Sequence, residues 1–220
     1  MENKIHYKFV ISIVSHNQIE LVNQLISDLN SIDKKDVGIL LRKNIPENGS
    51  AMKCKFPLFE FDNLNVHGFG ANHNKNFEII ECEYFVVVNP DIRIHDKALL
   101  NKFEELLMEN PQCIIVPRVY DSKNQLEDSV REFPSPIRII KKLLLGKKGT
   151  IPIDENKPIQ SVDWAGGMFQ VYPREVFKKL MGFDERYFMY YEDVDICLRA
   201  KKLNFKILVA NELSIVHDAQ

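Results

Sequence analysis

The sequence predicts an α/β fold built on a largely parallel sheet. Three observations carry that prediction. Short apolar, β-branched runs such as YKFVISIV at 7–14 and YFVVV at 84–88 read as buried strands. Amphipathic segments of helical period alternate with them, which is the pattern of βαβ units. Polar clusters follow several of the runs, where an open α/β sheet presents its ligand crevice. At 220 residues the chain is the size of one domain.

The elements follow in order. The strand at 7–14 leads into a helix, because Leu21, Leu25, Ile26 and Leu29 recur on one face. Short strands are expected at 37–41 and 59–61, and a helix at 73–81. The run at 84–88 ends at Asn89-Pro90-Asp91. A helix at 96–109 is closed by Asn110-Pro111, and a strand follows at 113–116. The second half is less regular. Residues 120–136 and 149–161 read as loop. Asp163-Trp164-Ala165-Gly166-Gly167-Met168 leads into a strand, and 173–180 is helical. A helix at 194–203 and a strand at 205–209 complete the series.

Composition excludes several classes. The net charge of −2 and pI near 6.3 give no field for a polyanion, so nucleic acid is not an expected partner. The four cysteines show no CxxC spacing and read as small buried thiols of a reducing compartment. No apolar run approaches the ~20 residues that span a bilayer. The amino terminus lacks the small-residue cleavage site of a signal peptide. A cytoplasmic chain, soluble or peripheral at the inner face of the membrane, is the expectation; oligomeric state is not readable.

The chemistry is expected at strand ends. Ser15-His16-Asn17, the cluster from Asn44 to Asn48, and Asn89-Pro90-Asp91 all occupy such places. A carboxylate held at the sheet rim, as Asp91 would be, suits a hard divalent cation bridging two phosphates. It equally suits a cap for the next helix. In GFGANHNKN, two glycines allow close backbone approach, and Asn72, Asn74 and Lys75 supply donors. The alternative there is a glycine turn with capping asparagines.

The richest stretch is FDERYFMYYEDVDICLR at 183–199, with five carboxylates interleaved with five aromatic residues. Asp193 begins a helix, where the dipole favours its charge, and aromatic walls would desolvate it into a better base. Glu192 is its neighbour in the candidate site, and Asp195 has the i,i+4 spacing to pair with Arg199. The alternative is a helix cap with core aromatics. His217 follows an apolar run and becomes a metal ligand if its strand returns beside Asp91. The segment IRIIKKLLLGKK, from Ile137 to Lys148, is cationic and apolar. It suits either an anionic membrane surface or an ordinary helix with lysines in solvent. Arg131 and Arg138 lie nearby as phosphate-binding candidates.

The ordered set SIVSHN, GFGANHN, VVNPD, WAGGMF and FDERYFMYYEDVDICLR, ending in VH, resembles family-2 glycosyltransferases. The rhamnosyltransferase-like branch is the nearest. The resemblance covers nearly the whole chain. It implies a GT-A (Rossmann-like) fold over 1–220, a mixed, mostly parallel sheet flanked by helices. A nucleotide-binding half would span about 1–117, and an acceptor and catalytic half about 118–220. It also implies inversion at the anomeric carbon, a nucleotide-diphosphate sugar donor, a glycan or lipid-linked acceptor, and Mn2+ or Mg2+ as cofactor. By position, Asp91 resembles the metal-binding aspartate and His217 the late histidine of the metal site. Asp193 resembles the catalytic base. Ser15, Asn17, Asn44, Asn74 and Asp91 fall on the nucleotide side, and Trp164, Gly166, Gly167 and Arg131 on the sugar and acceptor side. One departure stands out: Arg42-Lys43-Asn44 replaces the aspartate that many relatives carry after the second strand. The rival readings are a nucleotidyltransferase and a non-catalytic nucleotide-sugar-binding domain. SHNQIE after the first strand lacks the glycine-rich basic loop of the former.

Overall fold

The computed structural model describes residues 6–133, 154 and 157–218. The segment from Ile137 to Lys148, with Arg138, lies outside them. Among the described residues no helix is long and apolar enough to cross a membrane.

The chain opens with β1 (His6–Ser15), α1 (Ile19–Leu29), β2 (Val37–Lys43), β3 (Leu58–Asp62), α2 (Phe69–Ile79) and β4 (Glu81–Val88). Then come β5 (Ile92–Arg93), α3 (Leu99–Glu109), β6 (Cys113–Asp121) and β7 (Val130–Arg131). The remainder is β8 (Ile159–Val162), β9 (Trp164–Ala165), β10 (Phe169–Pro173), α4 (Arg174–Lys179), α5 (Glu192–Lys202) and β11 (Lys206–His217).

Strand order is β3-β2-β1-β4-β10-β6-β11-β5, with β8 also on β11, and β7 pairs β9 in a separate ribbon. The β1, β2, β3 and β4 ladders are parallel, as is β6 with β11. β10 runs antiparallel between β4 and β6. The sheet is therefore mixed and mostly parallel, as expected. Alternation along the strands makes two apolar layers. Phe9, Ile11, Ile13, Val86 and Val88 pack under α1 and α3. Val10, Phe85 and Val87 pack under α4 and α5. Phe177 of α4 is the hub of the second layer, with ring centroids 4.7–5.6 Å from Phe77, Phe85, Tyr172 and Phe183. Cys82, Cys113 and Cys197 are buried free thiols, and Cys54 is partly buried.

Several elements differ from the sequence reading. β8 (Ile159–Val162) begins inside the expected loop at 149–161 and is held on β11, and β6 runs on past 116 to Asp121. α2 starts at Phe69, because Gly70 belongs to the helix and not to a loop before it. A Cβ on Gly70 would stand 2.5 Å from that of Phe183, so the glycine serves helix packing. α3 starts at Leu99, with Asp96 accepting from the Ala98 N–H at 2.9 Å. β5, too short to show an apolar period, was not expected. β11 runs on past Val209 to His217, through a bulge between Ala210 and Ser214.

Truncation of the aromatic hub tests the packing. Phe177→Ala should lower unfolding free energy by about 3–5 kcal/mol, read by denaturant titration. A loss under about 1 kcal/mol would show that the layer does not depend on this ring.

Candidate active site

The chain runs β1, β2, β3 outward and then returns to place β4 on the other side of β1. That reversal opens a crevice at the carboxyl ends of β1 and β4. A cleft of about 160 Å³ lies there, between His16, Asn44, Phe69, Asn72, Asp91 and Phe188, among others. A hollow of about 400 Å³ lies at the opposite end of the sheet, beside Lys8, Lys34 and Asn101. Lys8 and Lys34 there are ion-paired to Glu104, and none of the candidate strand-end residues lines it.

Asp91 follows the Asn89-Pro90 turn. Its strand continuation β5 pairs antiparallel with the end of β11, so His217 sits opposite Ile92. The pairing brings His217 Nε2 to 3.2 Å from Asp91 Oδ2. The other oxygen, Asp91 Oδ1, is buried with no hydrogen-bond partner. His217 Nδ1 faces both oxygens of Glu127 at 3.0 and 3.1 Å. The Asp91 hydrogen bond, reinforced by Glu127 and opposed by burial, pushes the His217 pKa up to about 9. Among the described residues no group of three His, Cys, Asp or Glu is arranged to hold a metal. Asp91 and His217 are therefore a two-residue donor set. Such a set fits a hard cation that completes its shell with phosphate oxygens and water. The unpartnered Asp91 oxygen supports the fit.

Asp193 stands at the start of α5. Its Oδ1 accepts from the Val194 N–H at 2.7 Å and its Oδ2 from the Gly167 N–H at 3.2 Å. Burial nevertheless raises its pKa. Glu192 is 7% exposed and one carboxylate oxygen has no partner; burial, then Asp193, raises its pKa. Asp195 pairs with Arg199 at 2.7 Å, the spacing the sequence predicts.

The Gly166-Gly167 turn is held against Asp193 by the β7–β9 ribbon, where Gly166 N–H donates to Ser129 O at 2.8 Å. A Cβ on Gly167 would meet the Phe69 ring at 3.3 Å and Asp193 Cβ at 3.7 Å. Trp164 is paired with Arg131 across the ribbon, and the Arg131 guanidinium lies 5.6 Å from its ring while bonding Asp128.

Other expected residues are placed differently. The Ser15 hydroxyl donates to Glu47 and accepts from the Gln18 N–H, so it fixes the turn after β1. Asn17 is exposed, at φ 61°, and it is His16 and Gln18 that line the cleft. Asn44 borders the cleft, but its amide clamps His67: Oδ1 accepts from His67 N–H and Nδ2 donates to His67 O, both at 2.9 Å. Asn74 faces away, clamping Phe183 through its N–H and carbonyl, each at 2.9 Å. Its neighbour Asn72 borders the cleft instead. The two cations of the departing motif are also turned aside. Arg42 bonds Asn76 and stacks on Phe61, while Lys43 pairs with Glu60 at 2.9 Å.

Phe69 escaped the sequence reading as part of the site, whereas the 188–191 loop lies inside the 183–199 stretch that the reading marked. Phe69 N–H donates to Phe188 O at 3.0 Å, tying the helix start to that loop. Tyr190 and Tyr191 are 72% and 69% exposed and both have positive φ, at 69° and 71°. Left-handed backbone at two bulky residues in succession is strained, a feature that gathers at functional sites. The run of aromatics beside acids was its one sequence signal.

The comparisons follow from this geometry. The chain is 28% identical over 219 residues to the rhamnosyltransferase WbbL of Escherichia coli strain K12, covering 95% of this chain and 83% of that protein. It is 26% identical over 161 residues to the low-salt glycan biosynthesis hexosyltransferase Agl10 of Haloferax volcanii, covering 71% and 50%. A crystal structure of GalNAc-T7 with UDP, GalNAc and Mn2+ superposes with TM-score 0.72 at 12% identity, covering 97% of this chain and 43% of that one. The chain is similar in sequence to the first two glycosyltransferases and shares the GT-A fold of the third. No family model matches it. The GT-A chain thus spans most of the bacterial rhamnosyltransferase and about half, or less, of the other two.

Under the cleft of this GT-A chain lies a buried histidine. His73 is fully buried, with Nδ1 2.7 Å from Ser12 Oγ and Nε2 unpartnered. Burial, with the Arg42 charge adding, pushes its pKa down from 6.5 to about 3. Above pH 6.5 both folded and unfolded forms are neutral and the stability is full. Below it the unfolded chain takes a proton that the folded one refuses, so stability falls toward pH 3. Between pH 7 and pH 5, wild type should lose about 2 kcal/mol more than His73→Gln, measured by urea unfolding. Equal losses would show that the imidazole is not held neutral.

Proposed function

We propose that the chain is an inverting, metal-dependent glycosyltransferase. It moves a sugar from a UDP- or dTDP-sugar to a glycan or lipid-linked acceptor in bacterial surface polysaccharide assembly. The observation that carries this reading is the return of β11 to β5, which sets His217 beside Asp91 at the mouth of the crevice. The relatives named above, both glycosyltransferases, support it.

In this reading Asp91 and His217 would hold Mn2+ or Mg2+, which when bound would supply charge neutralisation for the departing diphosphate. The Mn2+ of the GalNAc-T7 structure supports the choice of ion. Asp193, desolvated yet oriented by two backbone N–H groups, accepts the proton of the acceptor hydroxyl. The hydroxyl oxygen bonds to the anomeric carbon as the carbon–oxygen bond to the nucleoside diphosphate breaks. One displacement from the opposite face inverts the centre, and no enzyme-linked sugar forms. Glu192 shares the desolvated site, and burial, then the neighbouring Asp193, raises its pKa. Trp164, the Gly166-Gly167 turn and Arg131 border the sugar side.

His16, Gln18 and the His67 segment that Asn44 clamps serve the nucleoside, in place of the aspartate missing after β2. The cleft is smaller than the ~300–1,000 Å³ of most ligand sites, with Phe188 and Met189 forming part of its wall. The Ile137 to Lys148 segment is the proposed membrane contact, at the inner face of the plasma membrane where lipid-linked acceptors reside.

Asp193→Asn should lower transfer by about 10²- to 10⁴-fold while leaving donor affinity within a few-fold. Nucleoside diphosphate release is measured across UDP-, dTDP- and GDP-sugars. Near-normal turnover of the variant would remove Asp193 as base. Chelation should abolish release and added Mn2+ restore it; release unaffected by chelator would contradict the metal.

A further inference from the structure

β6 ends at Asp121, and the chain turns back at once. Asp121 N–H donates to Gln125 O at 2.9 Å, its Oδ1 accepts from the Gln125 N–H at 2.7 Å, and Asn124 takes φ 59°. Glu127 N–H then donates to Val119 O at 2.8 Å, laying the returning strand beside β6. Asp121 is also the β6 partner of His217. The tight turn therefore delivers Glu127 to the last residue of β11.

Both Glu127 oxygens meet His217 Nδ1, while Nε2 points at Asp91. The side chains of His217, Asp91 and Glu127 are only 17%, 19% and 26% exposed, so water competes weakly for these bonds. The two ring nitrogens lie on different edges of the imidazole. Glu127 thus cannot share an ion with Nε2, but it can hold the proton on Nδ1 and fix the ring plane. A histidine so held keeps Nε2 as its ligating atom.

We propose that Glu127 is the positioning residue that aims His217 at the metal of the donor site. The proposal rests on the reading of Asp91 and His217 given above.

The test is titration with Mn2+ alone, free ion being followed by electron paramagnetic resonance, with melting temperature measured in parallel. Glu127→Ala should weaken Mn2+ binding about 10- to 100-fold with a melting temperature close to wild type. Glu127→Gln, whose amide oxygen still accepts the Nδ1 proton, should recover most of the affinity. Wild-type affinity in Glu127→Ala would overturn the proposal while sparing the metal reading. A Glu127→Gln variant as weak as Glu127→Ala would also overturn it, since charge and not orientation would then be at work. Wild-type protein that takes up no Mn2+ would overturn both.

Discussion

Residues 91 and 217 meet because one strand does two jobs. β11 enters the sheet parallel to β6, where Ile207, Leu208 and Val209 are core residues. It shifts register between Ala210 and Ser214, then ends antiparallel to β5. The Asp91–His217 pair at the crevice mouth depends on that course. Without the bulge the last residues would keep their earlier register. Without β5, Asp91 would be a loop carboxylate with no fixed partner. A bulge that re-aims a strand end beside a site is a recurring device. Here it joins side chains 126 positions apart in sequence.

The second centre is built by desolvation. Asp193 receives two backbone N–H groups, which favour its charge, yet burial is the larger effect and raises its pKa. The same balance of opposed effects, with a net upward shift, suits a group that must both lose and accept a proton near neutral pH. Phe69 links this centre to the cleft. It borders the cleft, lies against the Gly167 position, and anchors the 188–191 loop through its backbone. The strain at Tyr190 and Tyr191 is thus stored in the segment between the cleft and Asp193.

Much of the fold was legible because strand and helix periods are local. The runs at 7–14 and 84–88 and the amphipathic α1 each carry their own signal, and Asp91 was marked by its place after a buried run. What stayed hidden was long-range. β11 was read in two pieces, 205–209 and the apolar run before His217, because Asn211 and Glu212 lie between them, and nothing local says that the two are one strand. Gly70 read as loop because its packing partner, Phe183, lies over a hundred residues away. Ser15, Asn44 and Asn74 have the donors and acceptors of ligand-binding residues, but the fold consumes them internally. The role of Glu127 was invisible for the same reason, since its partner is 90 residues distant.

The central claim is that the metal sits at the strand-end pair and not among the carboxylates of 183–199. Paramagnetic broadening of backbone amide signals by substoichiometric Mn2+ tests it most directly. The account predicts that signals from 91–93, 127 and 215–218 vanish first. Broadening centred instead on Asp184, Glu185 and Asp195, with His217 and its neighbours unaffected, would contradict it.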